Sequence, residues 1–342
     1  MIRRNVIDGK NLEPFGYLFR SDDEKSPGRG VRFDFLGTNS IYLRSRKARI
    51  LIDPNFTRPR RMVGPRYFLK RVAPNPAIIR DALRRAGIDR LDAVLLTHTH
   101  YDHALDSAEV AKQTGAVLAG SDSAMKIGRG GGLSDDKLLL VEPEKPLRFG
   151  DFAVKFYPTV HLGLPVVGPM VDFNDHIQEE IVPPVRCAKY RKGETYCIHL
   201  EHPSGSLLVS GSGFRSGDLE GVSADAVALC VAGLPLKTSD YREGLFLEKV
   251  ERVGARRLIL THWDNMNRPL KEAPEFFGRS ALAIENILSI AREWGSVEVM
   301  LIPVWGGIRL FGDGERAPNW WSRFWNGIRH RRKVRGGSRG RT

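Results

Sequence analysis

A chain of 342 residues with 42% hydrophobic and 27% charged side chains has the composition of an ordinary globular protein, long enough for one large domain or two small ones. No apolar run approaches the ~18 residues a membrane-spanning helix needs, and the basic start is followed by no hydrophobic core, so neither a span nor a secretory signal is expected. The net charge of +13 sits at one end: nine of the 53 basic residues lie from Arg316 onward with no acid among them, leaving 44 against 40 acids before. A nucleic-acid-binding face on the body is therefore not demanded, and nucleic acid ranks low as a partner.

Residues 1–30 mix charges with Gly and Pro and are expected to be a leader without a pattern of their own. Strands begin at Val31, Phe33 and Phe35, which alternate with Arg32 and Asp34. Ile41 to Arg44 and Ala48 to Ile52 continue a meander that ends in Asp53. Asn55 to Pro76 is rich in Arg and Pro, and a loop there, with Arg58, Arg60, Arg61, Arg66, Lys70 and Arg71, is a candidate for offering cations to an anionic substrate; a solvated basic loop is the alternative. Ile78 to Ala86 has helical spacing, and Asp92 to Thr97 reads as a buried strand.

That strand delivers Thr97-His98-Thr99-His100-Tyr101-Asp102-His103, three histidines and an aspartate within six positions. Such side chains are what a borderline divalent ion such as zinc selects. His98 and His100, at i and i+2 beyond a strand, can face one side and hold one ion, while Asp102 and His103 fall on the turn into a helix over Ala104 to Thr114 and can face a second. A strand over Ala116 to Ala119 follows, then Ser121 as an N-cap, strands over Leu138 to Val141 and Phe152 to Tyr157, and His161 just beyond. Leu162 to Gly193 is Pro-rich with little periodicity and suits an active-site wall or lid; it carries Asp172, Asp175 and His176. Strands over Thr195 to Leu200 and Ser206 to Val209 lead into Gly211-Ser212, Ala226 to Val231 is another, and Leu245, Val250 and Val253 mark a helix. Arg257 to His262 then echoes Val94 to His98, a buried strand ending in Thr-His. Ala281 to Ala291 is an amphipathic helix, and Val297 to Ile302 is expected to close the second sheet.

Over Val31 to Phe311 the chain resembles the metallo-β-lactamase-fold hydrolases, whose hallmark is H-x-H-x-D-H after a buried strand. The wording THTHYDHALD is most similar to the lactonase-like and N-acylphosphatidylethanolamine phospholipase D-like branches. The resemblance implies an α/β (α+β) fold, a four-layer αββα sandwich, with zinc, or manganese or iron in its place, as one or two ions at the edge between the sheets. By position it implies His98, His100 and His161 as ligands of one ion and Asp102, His103 and His262 as ligands of the other, with Asp53 supporting the metal loop through hydrogen bonds. It also exposes a departure: where relatives carry Gly-Asp with a bridging carboxylate, this chain has Gly211-Ser212. A hydroxyl is a weaker ligand than a carboxylate, so one firmly held ion and one condition-dependent ion are expected, with Asp218 or Asp264 as substitute carboxylates and Asp264 also as a proton carrier.

The expected organisation is a leader (1–30), a hydrolase domain (31–315) and a basic, Trp-rich tail (316–342). In the tail, Trp320, Phe324 and Ile328 share a helical face, which suits either an anionic membrane interface or packing on the enzyme. Three cysteines, Cys187, Cys197 and Cys230, without C-x-x-C spacing argue against a disulfide framework and for a cytoplasmic setting, including the inner face of a membrane. The expected function is a metal-dependent hydrolase in which Asp102 orients the attacking water, acting on a small or lipid-like anionic substrate with a phosphodiester or phospholipid-like bond. Lactone hydrolysis is the alternative, and a noncatalytic metal-binding or scaffold role is the second.

Overall fold

Period-two alternation along the early strands decides where the layers lie. The computed structural model describes residues 9–24, 26–60, 69–163, 175–295 and 297–312. In it β1 (Val31–Phe35), β2 (Ile41–Arg44) and β3 (Arg49–Ile52) form an antiparallel meander. Ile50 and Ile52 join Phe33 and Phe35 in one core, while Leu51 between them belongs to another. A sheet covered on both faces sorts its side chains this way.

After the two-residue β4 (Arg71–Val72), α1 (Pro76–Arg85) starts with Pro76 and is capped by Asn75, whose side chain accepts the N–H groups of Ala77 and Ile78. β5 (Ala93–Leu95) lies parallel to β3, with Ala93 and Leu95 in the first core and Val94 and Leu96 in the second. The helix expected over Ala104 to Thr114 is divided into α2 (Tyr101–Ala104) and α3 (Ser107–Thr114). At the break, the Asp106 carboxylate accepts the N–H groups of Phe56 and Thr57 at 2.6 and 2.7 Å, which ties the loop after β3 to the loop that carries the histidines. β6 (Val117–Gly120), α4 (Asp122–Gly130) with its Ser121 cap, and β7 (Leu138–Leu140) follow.

The second sheet is built from β8 (Leu147–Phe149) and β9 (Phe152–Thr159), then, after β10 (Val185–Arg186) has paired with β4, from β11 (Thr195–His202), β12 (Gly205–Ser210) and β13 (Ala226–Cys230). α5 (Ser239–Phe246) continues into one π-helical turn at Leu247–Glu251, β14 (Arg257–Thr261) lies parallel to β13, and α6 (Ser280–Trp294) leads to β15 (Glu298–Leu301) at the sheet edge. β16 (Gly307–Phe311) then crosses back and pairs with β1, a return the sequence pattern did not announce. The strand orders are β16-β1-β2-β3-β5-β6-β7 and β15-β14-β13-β12-β11-β9-β8. One core lies between the sheets and extends to α5 and α6 on the second sheet, and the other packs α1, α3 and α4 on the first. This is the expected αββα sandwich.

The start of the described chain is part of that body. The 3-10 helix Gly9–Leu18 buries Phe15 and Leu18, with Phe15 edge-on to Phe276 at 5.3 Å between ring centroids. The tail from Arg316, together with Asp172, Arg61 and Arg66, lies outside the described residues. Among the described residues no helix is long and apolar enough to cross a membrane.

Behind the second sheet the π-helical turn buries Lys249, whose ammonium meets both Asp218 oxygens at 3.0 and 2.9 Å and the Thr159 hydroxyl at 3.1 Å. Asp218, expected as a substitute metal ligand, is thereby committed to a fully buried ion pair. Removing one partner of such a pair strands a charge, whereas replacing both need not. Lys249→Met should therefore cost about 3–5 kcal/mol in denaturant unfolding. The double variant Lys249→Met, Asp218→Leu should recover most of that loss, and a single-variant cost within the noise would refute the assignment.

Candidate metal centre

Each functional side chain is placed by the end of a strand. β5 ends at Leu95, and beyond it the Thr97 N–H donates to Asp53 Oδ1 at 2.8 Å while the Thr97 carbonyl accepts the N–H of Tyr196 on β11 at 2.8 Å. The stretch before His98 is thus pinned to both sheets. Gly211, at the end of β12, allows the same convergence: a Cβ there would lie 2.4 Å from Thr97 Oγ1. β14 delivers His262 from the second sheet, with its N–H on the Thr38 carbonyl at 2.5 Å. Asp53, His262 and Thr38 have φ of +46°, +58° and +55°, left-handed conformations costly for non-glycine residues and held here by surrounding bonds.

Two triads result. The ligand atoms of His98, His100 and His161 lie within 4.8 Å of one another, and so do those of Asp102, His103 and His262. The triads share a wall, with His98 and His103 ring centroids 4.0 Å apart. His98, His100, His103 and His262 are buried and His161 is half-buried; the Asp102 side chain keeps 14% exposure. All the metal positions expected from the sequence are brought together here, and Ser212 is in neither triad. Its hydroxyl accepts the Leu162 N–H at 2.9 Å and so holds the turn that follows His161.

Asp53 sets the orientation of both triads. Its Oδ2 accepts His103 Nδ1 at 2.8 Å, which turns Nε2 toward the second triad. The same oxygen accepts the Thr97 hydroxyl at 2.6 Å, and Thr97 Oγ1 in turn lies 3.1 Å from His98 Nδ1, which leaves His98 Nε2 for the first triad. Asn39 Nδ2 donates to Asp53 at 2.7 Å, and Asn39 Oδ1 accepts the hydroxyl of Thr261, the residue before His262, at 2.7 Å. One carboxylate therefore fixes the tautomers of two histidines and reaches the strand that carries a third.

The electrostatics suit a cation. Burial, then the neighbouring imidazoles, hold His98 and His161 well below the usual histidine range, so both are neutral nitrogen donors. For Asp102 burial acts upward, but His103 and the hydrogen bond from His262 Nε2 at 3.1 Å outweigh it and hold the carboxyl well below its ordinary range. His262 Nδ1 is buried with no partner among the described residues. Three imidazoles on one side, two of them held neutral by their surroundings, and two imidazoles with an ionised carboxylate on the other form donor sets that fit zinc; an ion at each triad would sit between residues already facing each other.

Two expectations are corrected. Asp264, expected as a compensating ligand or proton carrier, belongs to neither triad: Oδ2 is paired with Arg58 at 2.7 Å and Oδ1 accepts the Thr38 N–H at 2.6 Å, both in the interior. Arg58, in a loop offered either as a source of cations for a substrate or as a solvated basic loop, is instead 4% exposed and braces the Thr38 turn from beneath. The alternation that placed Asp264 beside His262 assumed an extended chain, and the left-handed φ of His262 reverses it. The sequence also passed over Asn39 and Thr97, whose roles follow only from contacts across the fold.

Residues 33–186 match the model of the metallo-beta-lactamase superfamily. That stretch carries the similarity to the metallo-beta-lactamase superfamily. A UPF0173 metal-dependent hydrolase of Sinorhizobium medicae is 36% identical over 135 residues, 38% of this chain and 48% of that protein, and one of Rhizobium meliloti is 35% identical over 135 residues. The chain spans about half the length of these curated relatives. Among solved structures, Igni18, a metallo hydrolase of the archaeon Ignicoccus hospitalis, aligns over 81% of this chain and 97% of its own with a TM-score of 0.52 at 14% identity. An isothiocyanate hydrolase from Delia radicum gut bacteria aligns over 82% and 100% with a TM-score of 0.52 at 16% identity. Such identities bear on the fold alone. The matched superfamily region holds Asp53, the H-x-H-x-D-H motif and His161 but ends before Ser212 and His262, which the second sheet supplies.

Because Asp53 orients ligands in both triads, Asp53→Ala should lower zinc affinity by about 10–100-fold, read as metal content after dialysis against a graded chelator. Thr97→Val, which removes only the link to His98, should fall between the wild type and Asp53→Ala. Unchanged zinc retention in both variants would show that the ligands need no such support.

Proposed function

We propose that this metallo-beta-lactamase domain is a zinc-dependent hydrolase that cleaves an ester-type bond, with a phosphodiester or phospholipid-like substrate favoured. The observation that carries this reading is the pair of triads sharing the His98–His103 wall, because two adjacent cation sites can stabilise both the attacking and the leaving oxygen of an in-line displacement. Zinc held by neutral imidazoles supplies a Lewis acid and lowers the pKa of a coordinated water to about 7.

The chain's own residues do the rest. His98, His100 and His161 would hold the firmer ion. Asp102, His103 and His262 would hold a second, more weakly, since Ser212 contributes no bridging carboxylate; manganese or iron could take these places, the carboxylate-bearing triad being the more tolerant. Asp102, ionised and partly open to solvent, accepts a hydrogen bond from the attacking water and so orients it. Asp53 keeps the imidazoles in the tautomers this requires. Three buried, unpaired thiols support a reducing, cytoplasmic setting, and the basic, Trp-rich composition after Arg316 supports peripheral contact with an anionic membrane.

Hydrolysis of bis(4-nitrophenyl) phosphate and of a lactone panel by the zinc-loaded protein tests the reading. Phosphodiester turnover should exceed lactone turnover, and His100→Ala should lose zinc together with roughly 100-fold or more of the rate. Faster lactone turnover would move the assignment to cyclic esters. Full zinc occupancy with no turnover of either class would favour a noncatalytic role.

A further inference from the structure

At the end of the sandwich opposite the metal centre lies a cleft of about 540 Å³, lined by Ser26, Pro27, Gly28, Arg29, Ser45 and Arg46. Ser45 and Arg46 belong to the turn between β2 and β3, before Arg49 opens β3, whereas Asp53 and the metal loop lie beyond its other end. The four residues of β3 alone put about 13 Å between the two places.

Both walls are fixed. In one, Gly28 has φ of +58° and donates its N–H to Ser26 Oγ at 3.2 Å, and a Cβ on it would lie 3.2 Å from the Arg309 guanidinium. Gly30 closes this turn with its N–H on the Pro27 carbonyl at 3.0 Å, and a Cβ there would collide with the Phe311 carbonyl. In the other wall, Ser45 Oγ accepts the N–H groups of Lys47 and Ala48 at 3.1 and 3.0 Å and donates to Asp151. The second Asp151 oxygen lies 3.3 Å from His202 Nε2, so this carboxylate is engaged, and it does not line the cleft.

Other guanidinium groups in this corner are matched with carboxylates: Arg32 with Asp22 and Asp34, Arg44 with Asp34, and Arg309 with Glu24. Arg29 and Arg46 are exposed on the same cleft, and among the described residues their side chains have neither an ion pair nor a hydrogen bond. Lys47, next to Arg46, is also exposed and its ammonium is likewise unpaired among the described residues. No acid lines the cleft, and the Ser26 hydroxyl, which accepts from Gly28, keeps its own proton to donate. Like charges held at one opening repel. A doubly charged anion between them removes that repulsion and meets the planar forks of both guanidiniums.

We propose that this cleft binds a phosphoryl group, carried by a soluble phosphate compound or by a lipid headgroup, through Arg29, Arg46 and the Ser26 hydroxyl. The site is separate from the metal centre and takes its ligand without a metal. A cleft of several hundred cubic ångströms admits part of the carrier as well as the phosphoryl group.

Calorimetric titration of the zinc-loaded full chain with glycerol 3-phosphate, at about 0.15 M salt, reads the site directly. Arg29→Gln and Arg46→Gln should each weaken binding about tenfold or more, the double variant should lose the binding event, and Arg46→Lys should keep part of the affinity. His100→Ala, which removes a metal ligand, should retain the event. Thermal melting of both Gln variants should match the wild type, because the side chains are exposed and unpaired. Flotation with phosphatidylcholine vesicles carrying phosphatidic acid separates the sources, since the basic tail is present in every sample. Flotation about tenfold weaker in the double variant assigns a lipid headgroup; flotation equal to wild type, with glycerol 3-phosphate binding lost, assigns a soluble compound. The proposal is overturned by wild-type affinity in the double variant, by a wild type that binds neither glycerol 3-phosphate nor the vesicles, or by an event that disappears only in His100→Ala.

Discussion

The buried carboxylate of Asp53 is the constraint on which the rest of the site depends. It accepts four donors, from Asn39, the Thr97 backbone, the Thr97 hydroxyl and His103, at 2.6 to 2.8 Å. A carboxylate saturated in this way stays in the interior because hydrogen bonds, His103 among the donors, replace its water. The same bonds tell His103, and through Thr97 also His98, which nitrogen to present. The backbone strain at Asp53 is part of this arrangement, since the left-handed φ of +46° turns the chain at the end of β3 and brings the carboxylate beneath the histidine loop.

Around that point the two sheets meet at one rim. β5 brings the H-x-H-x-D-H motif from the first sheet, while β9, β12 and β14 bring His161, Ser212 and His262 from the second. Contact between them is close enough that Gly211 tolerates no side chain against Thr97. Two buried ion pairs brace the rim from either side, Arg58 with Asp264 under the Thr38 turn and Lys249 with Asp218 behind β9. Both use carboxylates that the sequence offered as replacements for the absent bridging aspartate. The site therefore meets its missing ligand with Ser212, which steadies the His161 turn, and leaves the nearby acids to structural work.

Position in the fold rather than the density of basic residues decides where a charge ends up. Arg58, which a sequence count places in a basic loop, is withdrawn into the interior and paired with Asp264.

The sequence by itself determined the strands and the cluster of three histidines and an aspartate after β5, because those depend on local features, alternation along strands and i and i+2 spacing; the αββα plan and the parts taken by His161 and His262 came from the resemblance of that motif to a known family. Asp53 was legible as the end of a strand. What only the tertiary structure decided is where the other acids and cations point. Asp264 was misplaced because strand alternation fails at a residue with φ of +58°, Asp218 because its partner Lys249 lies on a π-helical turn 31 residues away, and β16 because pairing with β1 spans the chain. Ion pairs and networks between distant segments have no periodic signature, so their outcome is settled by which strand ends the fold brings to the same edge.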